Sequence, residues 1–332
     1  MPRNSRWVPA LAVSLIVTFV RCGAGRAQDS PLAIADAAAM SDVAVVGLSR
    51  RFMIEPRALR ALLRRRDTIL MSAQSTLEIS NPGFVNNAIP VDVDALTDFG
   101  QTPDAFSNFA GWAERFGALG VTRHSTVIVY DDGEFKFASR VRFLLDHFGL
   151  RRAFLLDGGF NSLQQLIADG KLSQTLPGVI TPAAFEVQVR DRPIHLVDRQ
   201  TVASVVGDPS VTLLDVRTPA EFAGCFLLPG IKRGGHIPGA QNVPLKEILT
   251  LQADDPDFSF LNRPTQLRAT FVAARIRPHD RIIVYCHDGA MSSLAALALV
   301  QAGYKDVSLY YLSYLDWQDD LSDPVESIGP CT

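Results

Sequence analysis

Arg281-Ile-Ile-Val-Tyr-Cys-His-Asp-Gly-Ala-Met-Ser-Ser-Leu-Ala-Ala-Leu-Ala-Leu-Val300 decides the reading of this 332-residue chain. Ile282–Tyr285 is a short β-branched apolar run, the pattern of a buried strand. Ser292 or Ser293 can N-cap a helix, and Leu294–Val300 is rich in helix formers. Between them lie Cys286, His287, Asp288, Gly289, Ala290 and Met291. A loop that wraps back onto a helix N-terminus aims several backbone N–H groups at one spot. Cys286 opens the loop, so its sulfur can sit over that spot. The partial positive charge there is expected to favour thiolate over thiol, which makes Cys286 a candidate nucleophile. The alternative is a buried structural cysteine at a strand end.

A chain of this length accommodates two domains, and 47% hydrophobic residues suffice for full cores. A net charge of -3 leaves no electrostatic footprint for nucleic acid. Residues 1–27 read as a secretory signal. Arg3 and Arg6 form its basic start, Val8–Val20 its uncharged apolar stretch, and Gly25-Arg26-Ala27 its cleavage site. The apolar stretch is too short to span a bilayer. Cleavage after Ala27 removes four Arg and no acid, taking the net charge from -3 to -7. The expectation is an exported protein, periplasmic if bacterial and otherwise secreted, with no stable membrane insertion and no nucleic-acid partner. Cys225, Cys286 and Cys331 then remain. In an oxidising compartment three cysteines suggest one disulfide and one free thiol. Cys225–Cys331 is the pairing that leaves Cys286 free; two isolated thiols are the alternative.

The remaining chain reads as a duplication. Residues 28–51 are an Ala-rich lead-in with helical character. Glu55–Arg66 is expected to be a helix, Thr68–Ser72 a strand, 81–98 loop-rich, and Asp104–Leu119 a helix. Thr126–Tyr130 is a strand, followed by Asp131-Asp132-Gly133-Glu134 and a helix over Ala138–Phe148. Val127–Tyr130 matches Ile282–Tyr285, and Asp131 falls where Cys286 falls. Phe148-Gly149 matches Ala302-Gly303, and Ala153–Leu156 matches Val307–Tyr310. A self-match spaced by about 155 residues implies two copies of one fold. Strands alternating with helices imply parallel sheets covered on both faces, with ligands at the carboxyl ends of the strands. The expected domains are 52–170 and 194–325, joined by a Pro- and Gly-containing linker over 171–193. In the second copy Val211–Val216 is a strand, Thr218 caps a short helix with Pro219 at its first position, Gln241–Val243 is a short strand, and Thr265–Ala274 is a helix.

Leu214-Asp215-Val216-Arg217 with Glu221-Phe222, Gly235-His236-Ile237-Pro238-Gly239-Ala240, and Val284-Tyr285-Cys286 with its glycine-containing loop occur in one order. Together they resemble the rhodanese-type sulfurtransferases in their tandem two-domain form. The first copy keeps Val129-Tyr130-Asp131-Asp132-Gly133 and Leu156-Asp157-Gly158-Gly159-Phe160 but lacks the Asp-x-Arg signature. Its Gly-His-Ile-Pro-Gly-Ala equivalent is reduced to Asn87-Ala88-Ile89-Pro90, so it resembles the inactive partner domain. The resemblance implies an α/β fold of two tandem rhodanese-like domains, each a central, mainly parallel sheet flanked by helices. It also implies an enzyme that moves sulfane sulfur from thiosulfate or 3-mercaptopyruvate to a thiol or cyanide acceptor, through a persulfide on Cys286 and with no cofactor or metal. His287, Asp288, Gly289, Ala290, Met291 and Ser292 become the substrate-binding loop, and Asp215, Arg217 and His236 structural support.

Two positions depart from the family. Thiosulfate enzymes usually carry cations in the loop, and mercaptopyruvate enzymes small neutral residues; here stand His287 and Asp288. His287 is a candidate cation or hydrogen-bond donor. Asp288 is expected to point outward, since turned inward it would repel an anionic donor and raise the Cys286 pKa. Glu221 stands where tandem enzymes usually carry Arg, and Lys232 and Arg233 are candidates for the missing positive charge. A phosphatase of this fold would need Arg where Ser292 stands. A redox enzyme lacks support because there is no Cys-x-x-Cys. The rival is a non-catalytic or protein-fed sulfur-relay module.

Overall fold

A computed structural model describes residues 52–75, 83–102, 104–188, 192–252 and 255–329. The signal and lead-in expectations over 1–51, and Cys331, lie outside these residues.

Two five-stranded sheets organise the chain. The first takes β1 (Met53–Ile54), β2 (Thr68–Gln74), β4 (Ile89–Asp92), β5 (Thr126–Tyr130) and β6 (Ala153–Leu156), in the order β1-β6-β5-β2-β4. The second takes β8 (Ile194–Val197), β9 (Val211–Asp215), β10 (Gln241–Asn242), β13 (Arg281–Tyr285) and β14 (Asp306–Tyr310), in the order β8-β14-β13-β9-β10. Matched strand for strand, the orders are the same, and every pairing within either sheet is parallel. Parallel neighbours need crossover connections, and helices supply most of them. The fold is therefore α/β with two mainly parallel sheets, as the resemblance implies. β3 (Phe84–Val85) pairs antiparallel with β7 (Gln174–Thr175), inside the expected linker. β11 (Leu249–Gln252) and β12 (Asp255–Leu261) form an antiparallel hairpin that the sequence reading did not anticipate.

β5 and β13 are the central strands. Thr126–Tyr130 is buried at every position, and so is Ile282–Tyr285, which is why both read as unbroken apolar runs. Each is followed by a helix, Lys136–His147 after β5 and Ala290–Gln301 after β13. These two helices pack on each other. Phe143, Leu144, Leu294 and Ala298 belong to one apolar cluster that spans both sheets. Each fully buried leucine there contributes roughly 1.5–3 kcal/mol relative to exposure. Apolar burial thus fixes the face on which the first half meets the loop after β13.

Several boundaries differ from the sequence reading. The loop-rich segment contains β4 and the helix Val93–Gly100, whose N-cap Asp92 accepts from the Ala95 N–H. The helix expected over 104–119 is a 3-10 turn at Ala105–Ser107 and a helix at Phe109–Ala118. The helix after β13 begins at Ala290 with Gly289 as N-cap, so neither Ser292 nor Ser293 caps it.

Candidate active site

Cys286 follows β13 directly, at the carboxyl edge of the sheet, and has no exposed surface. Its backbone N–H donates to Ser313 Oγ at 3.1 Å, and its carbonyl accepts from the Tyr314 N–H at 3.1 Å. The Leu315 N–H donates to the His287 carbonyl at 2.9 Å, so the strand exit is held from both sides. The chain then turns through Gly289 at φ +97°, where a Cβ would lie 2.2 Å from the Tyr311 carbonyl oxygen. Only glycine meets both demands. This turn brings the Gly289 N–H to 3.2 Å from Cys286 Sγ and the Ser292 hydroxyl to 3.4 Å. The backbone N–H groups of Asp288 and Ser292 also face the sulfur.

The loop's other residues serve elsewhere. The Ala290 N–H donates to Asp288 Oδ1 at 3.2 Å rather than to the sulfur, and Met291 packs on the apolar core. Asp288 does not point outward. Its Oδ2 lies 2.9 Å from Arg140 Nη2, which also donates to the Asp288 carbonyl at 2.9 Å. Ser139 Oγ donates to the Ala290 carbonyl at 3.2 Å. Helix Lys136–His147 of the first half therefore grips the loop of the second at two places.

The electrostatics correct the expectation of a ready thiolate. Burial, then the neighbouring Asp288 carboxylate, pushes the Cys286 thiol above its ordinary range, and the surrounding hydrogen bonds only partly offset this. Burial likewise pushes His287 below its usual value, so it is a neutral imidazole near pH 7 and not the cation considered above. Its Nδ1 is buried with no hydrogen-bond partner among the described residues. Asp288 is held below the usual carboxylate range: burial would raise it, but Arg140 and the Ala290 N–H outweigh that. Lys232 and Arg233 do not supply the missing cation. Lys232 pairs with Asp319 at 3.6 Å, and Arg233 donates to the carbonyls of Asp320 and Asp323. The cation paired with Asp288 is Arg140, which the sequence reading passed over, while Arg217 and Lys136 act on the neighbouring His287.

Glu221 is buried for a local reason. Its Oε2 accepts from the Thr218 N–H at 3.1 Å and hydroxyl at 2.7 Å, completing a capping box on the helix Pro219–Ala223. Asp215 and Arg217 form a fully buried bidentate pair, with Nε 3.0 Å and Nη2 2.6 Å from Oδ2. Arg217 Nη2 also donates to the Gly235 carbonyl at 2.7 Å, tying β9 to the loop that carries His236. His236 stacks on Phe222 at 3.7 Å between centroids, and its Nδ1 lies 2.8 Å from the Phe222 carbonyl. Asp215, Arg217 and His236 make no hydrogen bond to Cys286 Sγ; each braces the loops around it.

The first sheet shows what such a loop holds. Asp131, at the position matching Cys286, is buried. Its carboxylate accepts from the N–H groups of Gly133, Phe135, Phe137 and Ala138 at 3.0–3.1 Å. Phe135 and Ala138 sit where Gly289 and Ser292 sit in the second copy, as left-handed N-cap and third helical residue, so corresponding N–H groups face an anion in one loop and a sulfur in the other. Burial still outweighs those bonds and pushes Asp131 up to about 6. A carboxyl whose folded pKa exceeds its unfolded value adds stability below the unfolded pKa, and loses it as pH rises through the folded one. A change from 3.8 to about 6 corresponds to roughly 3 kcal/mol. Asp131→Asn removes this titration. The stability of the wild type relative to the variant is expected to fall by up to about 3 kcal/mol between pH 4 and 7. Urea unfolding at several pH values checks it, and a pH-independent difference would refute it.

The geometry is that of a rhodanese fold with a cysteine at its anion-facing loop, and comparison with known proteins agrees. Residues 198–320 match the rhodanese-like domain family. A probable 3-mercaptopyruvate sulfurtransferase of Pseudomonas aeruginosa is 34% identical, covering 84% of this chain and 99% of that protein. The thiosulfate sulfurtransferase of Azotobacter vinelandii is 29% identical over 82% of this chain and 96% of its own. The crystal structure of the Escherichia coli 3-mercaptopyruvate sulfurtransferase SseA aligns with a TM-score of 0.63 at 23% identity, covering 79% of this chain and 98% of that one. The chain belongs to the rhodanese-type sulfurtransferase family.

Proposed function

We propose that this enzyme transfers sulfane sulfur from thiosulfate or 3-mercaptopyruvate to a thiol or cyanide through a persulfide on Cys286. The observation that carries the reading is the Cys286 sulfur facing backbone N–H groups and the Ser292 hydroxyl at the carboxyl end of the central strand. With thiosulfate, the Cys286 thiolate attacks the outer sulfur, the S–S bond breaks and its electron pair leaves on sulfite. With 3-mercaptopyruvate the C–S bond breaks, and the carbon takes the electron pair and a proton to give pyruvate. The acceptor then attacks the outer persulfide sulfur, and the electron pair of the broken S–S bond restores the Cys286 thiolate. Splitting the transfer in this way replaces one difficult displacement by two easier ones. The N–H groups stabilise sulfur-centred negative charge in both halves of the cycle.

The protein is exported by the signal over residues 1–27, and Cys225 pairs with Cys331. In support, Cys225 is disulfide-bonded and Cys286 is a free thiol.

Intact mass tests these readings together. Protein purified from the native host's export compartment is expected to begin at Gln28 and, denatured without reduction, to take up one alkylating group. Brief exposure of the folded protein to a donor is expected to add about 32 Da, one sulfur atom, removable with cyanide. No gain from either donor would shift the reading to a protein-fed relay, and three alkylated thiols would remove the disulfide.

A further inference from the structure

The loop carries an acid where an anionic donor must arrive, and that acid is already paired to a cation from the other half of the molecule. We propose that the Arg140–Asp288 pair fixes the charge of the donor. The Asp288 carboxylate occupies the guanidinium that a second negative charge would need, so the site takes a monoanionic carboxylate such as 3-mercaptopyruvate ahead of the thiosulfate dianion. The inference rests on the sulfurtransferase reading and narrows its donor.

Three observations support it. First, the pair is built into the fold. Arg140 is 2% exposed, and one of its nitrogens holds both the carboxylate and the carbonyl of Asp288. Its Nη1 donates to the Thr97 hydroxyl, which fixes the guanidinium from the far side. Secondly, the cluster has hydrogen-bonding capacity beyond what Asp288 uses. Arg140 Nε and the Tyr311 hydroxyl are buried without a partner among the described residues. The Arg140 guanidinium lies 5.7 Å from the centroid of the Tyr311 ring. Thirdly, the cluster acts on the reacting atom. Asp288 raises the Cys286 thiol, while Arg140 interacts favourably with both. A fixed carboxylate disfavours a dianion more than a monoanion, because Coulomb repulsion scales with the product of the charges. Without the carboxylate, Arg140 becomes an uncompensated cation beside the sulfur, suited to sulfonate-like oxygens.

The test measures kcat/KM for thiosulfate and for 3-mercaptopyruvate in the full-length mature protein and in three variants. Asp288→Ser removes the acid, Asp288→Asn removes only its charge, and Asp288→Ser/Arg140→Met removes both partners. Loosening the loop alone would help both donors alike, so the ratio of the two constants separates charge from access. The wild type is expected to favour 3-mercaptopyruvate. Both single variants are expected to raise the thiosulfate-to-mercaptopyruvate ratio by about tenfold or more, about 1.4 kcal/mol of discrimination. The double variant is expected to lose that gain. A ratio within twofold of wild type in both single variants would overturn the proposal, and so would a gain that persists in the double variant. Sulfur loading from the donors with an unmoved ratio leaves the sulfurtransferase reading standing without this inference. A wild type that loads no sulfur from either donor overturns both.

Discussion

Cys286→Ser is expected to abolish sulfur transfer, by at least about 10³-fold in kcat/KM with either donor, while the protein stays folded. The size of the effect follows from the chemistry. A serine hydroxyl cannot form the persulfide, so the two-step route is lost, and what remains is a direct reaction between donor and acceptor held near one another. The persistence of the fold follows from the surroundings. Cys286 sits among groups that already donate hydrogen bonds, the Gly289 N–H and the Ser292 hydroxyl. An oxygen accepts from them at least as well as sulfur does, and the slightly smaller side chain leaves little void. A stability loss of about 1–2 kcal/mol is the expected ceiling. Coupled assays for pyruvate or sulfite release, beside a melting curve, check both halves. Transfer at wild-type rates in the variant would refute Cys286 as the sulfur carrier.

The two loops show why this cysteine, and not its counterpart, carries the chemistry. In the first copy the cradle is filled by a carboxylate that belongs to the chain. Those N–H groups are already taken by the Asp131 side chain, and the loop has no nucleophile. In the second copy a turn one residue shorter carries a thiol, and its N–H groups are available to charge that appears during reaction. Burial makes the resting thiol harder to ionise. The loop therefore favours negative charge on sulfur most when the donor or the persulfide spreads it over further atoms within reach of those N–H groups.

Much of this was legible in the chain because it is local. The runs Thr126–Tyr130 and Ala153–Leu156 gave their strands to the residue, since a parallel strand buried on both faces reads as one unbroken run and not as an alternation. Thr218 and Pro219 marked the start of their helix, because a cap is a contact between residues three apart. β4 was hidden by Pro90. Proline is tolerated there because β4 is the edge of its sheet, where one row of N–H groups needs no partner. The helix after it did carry a signal, Asp92 as N-cap ahead of the buried Val93 and Leu96. Arg140 was hidden for another reason. Its partner lies 148 residues away, and no period or motif links residues so far apart. An arginine on the apolar face of a helix was nevertheless a cue, because a buried guanidinium needs a carboxylate or carbonyl to meet it. The direction of the Cys286 pKa failed on the same ground. The loop dipole is local, but the desolvation that outweighs it comes from burial of Cys286 in the core, which depends on the whole packed fold.

Arg217→Met carries the largest expected effect on stability. The substitution leaves the Asp215 carboxyl with no exposed surface and no guanidinium to meet it. Breaking a buried pair by removing one partner costs about 3–5 kcal/mol, because the remaining charge stays desolvated. Two smaller losses add to it. The Gly235 carbonyl loses its donor, and the Tyr314 ring loses the guanidinium that lies 3.9 Å from its centroid. A fall in melting temperature of roughly 10 °C is expected. Lysine is a poor rescue, since one ammonium cannot reproduce the planar fork that meets both carboxylate oxygens and the carbonyl. Asp215→Asn in the Arg217→Met background is the informative rescue. The amide oxygen can still accept from the residue 217 N–H, a bond of 2.8 Å in the wild type, and the stranded charge is gone. The double variant is therefore expected to recover most of the lost stability, and a transfer rate per folded molecule within a few fold of wild type, because neither side chain makes a hydrogen bond to the sulfur. Recovery of stability without recovery of rate would mean that Arg217 also acts on the substrate. A single variant as stable as the wild type would show that the pair does not hold the loop in place.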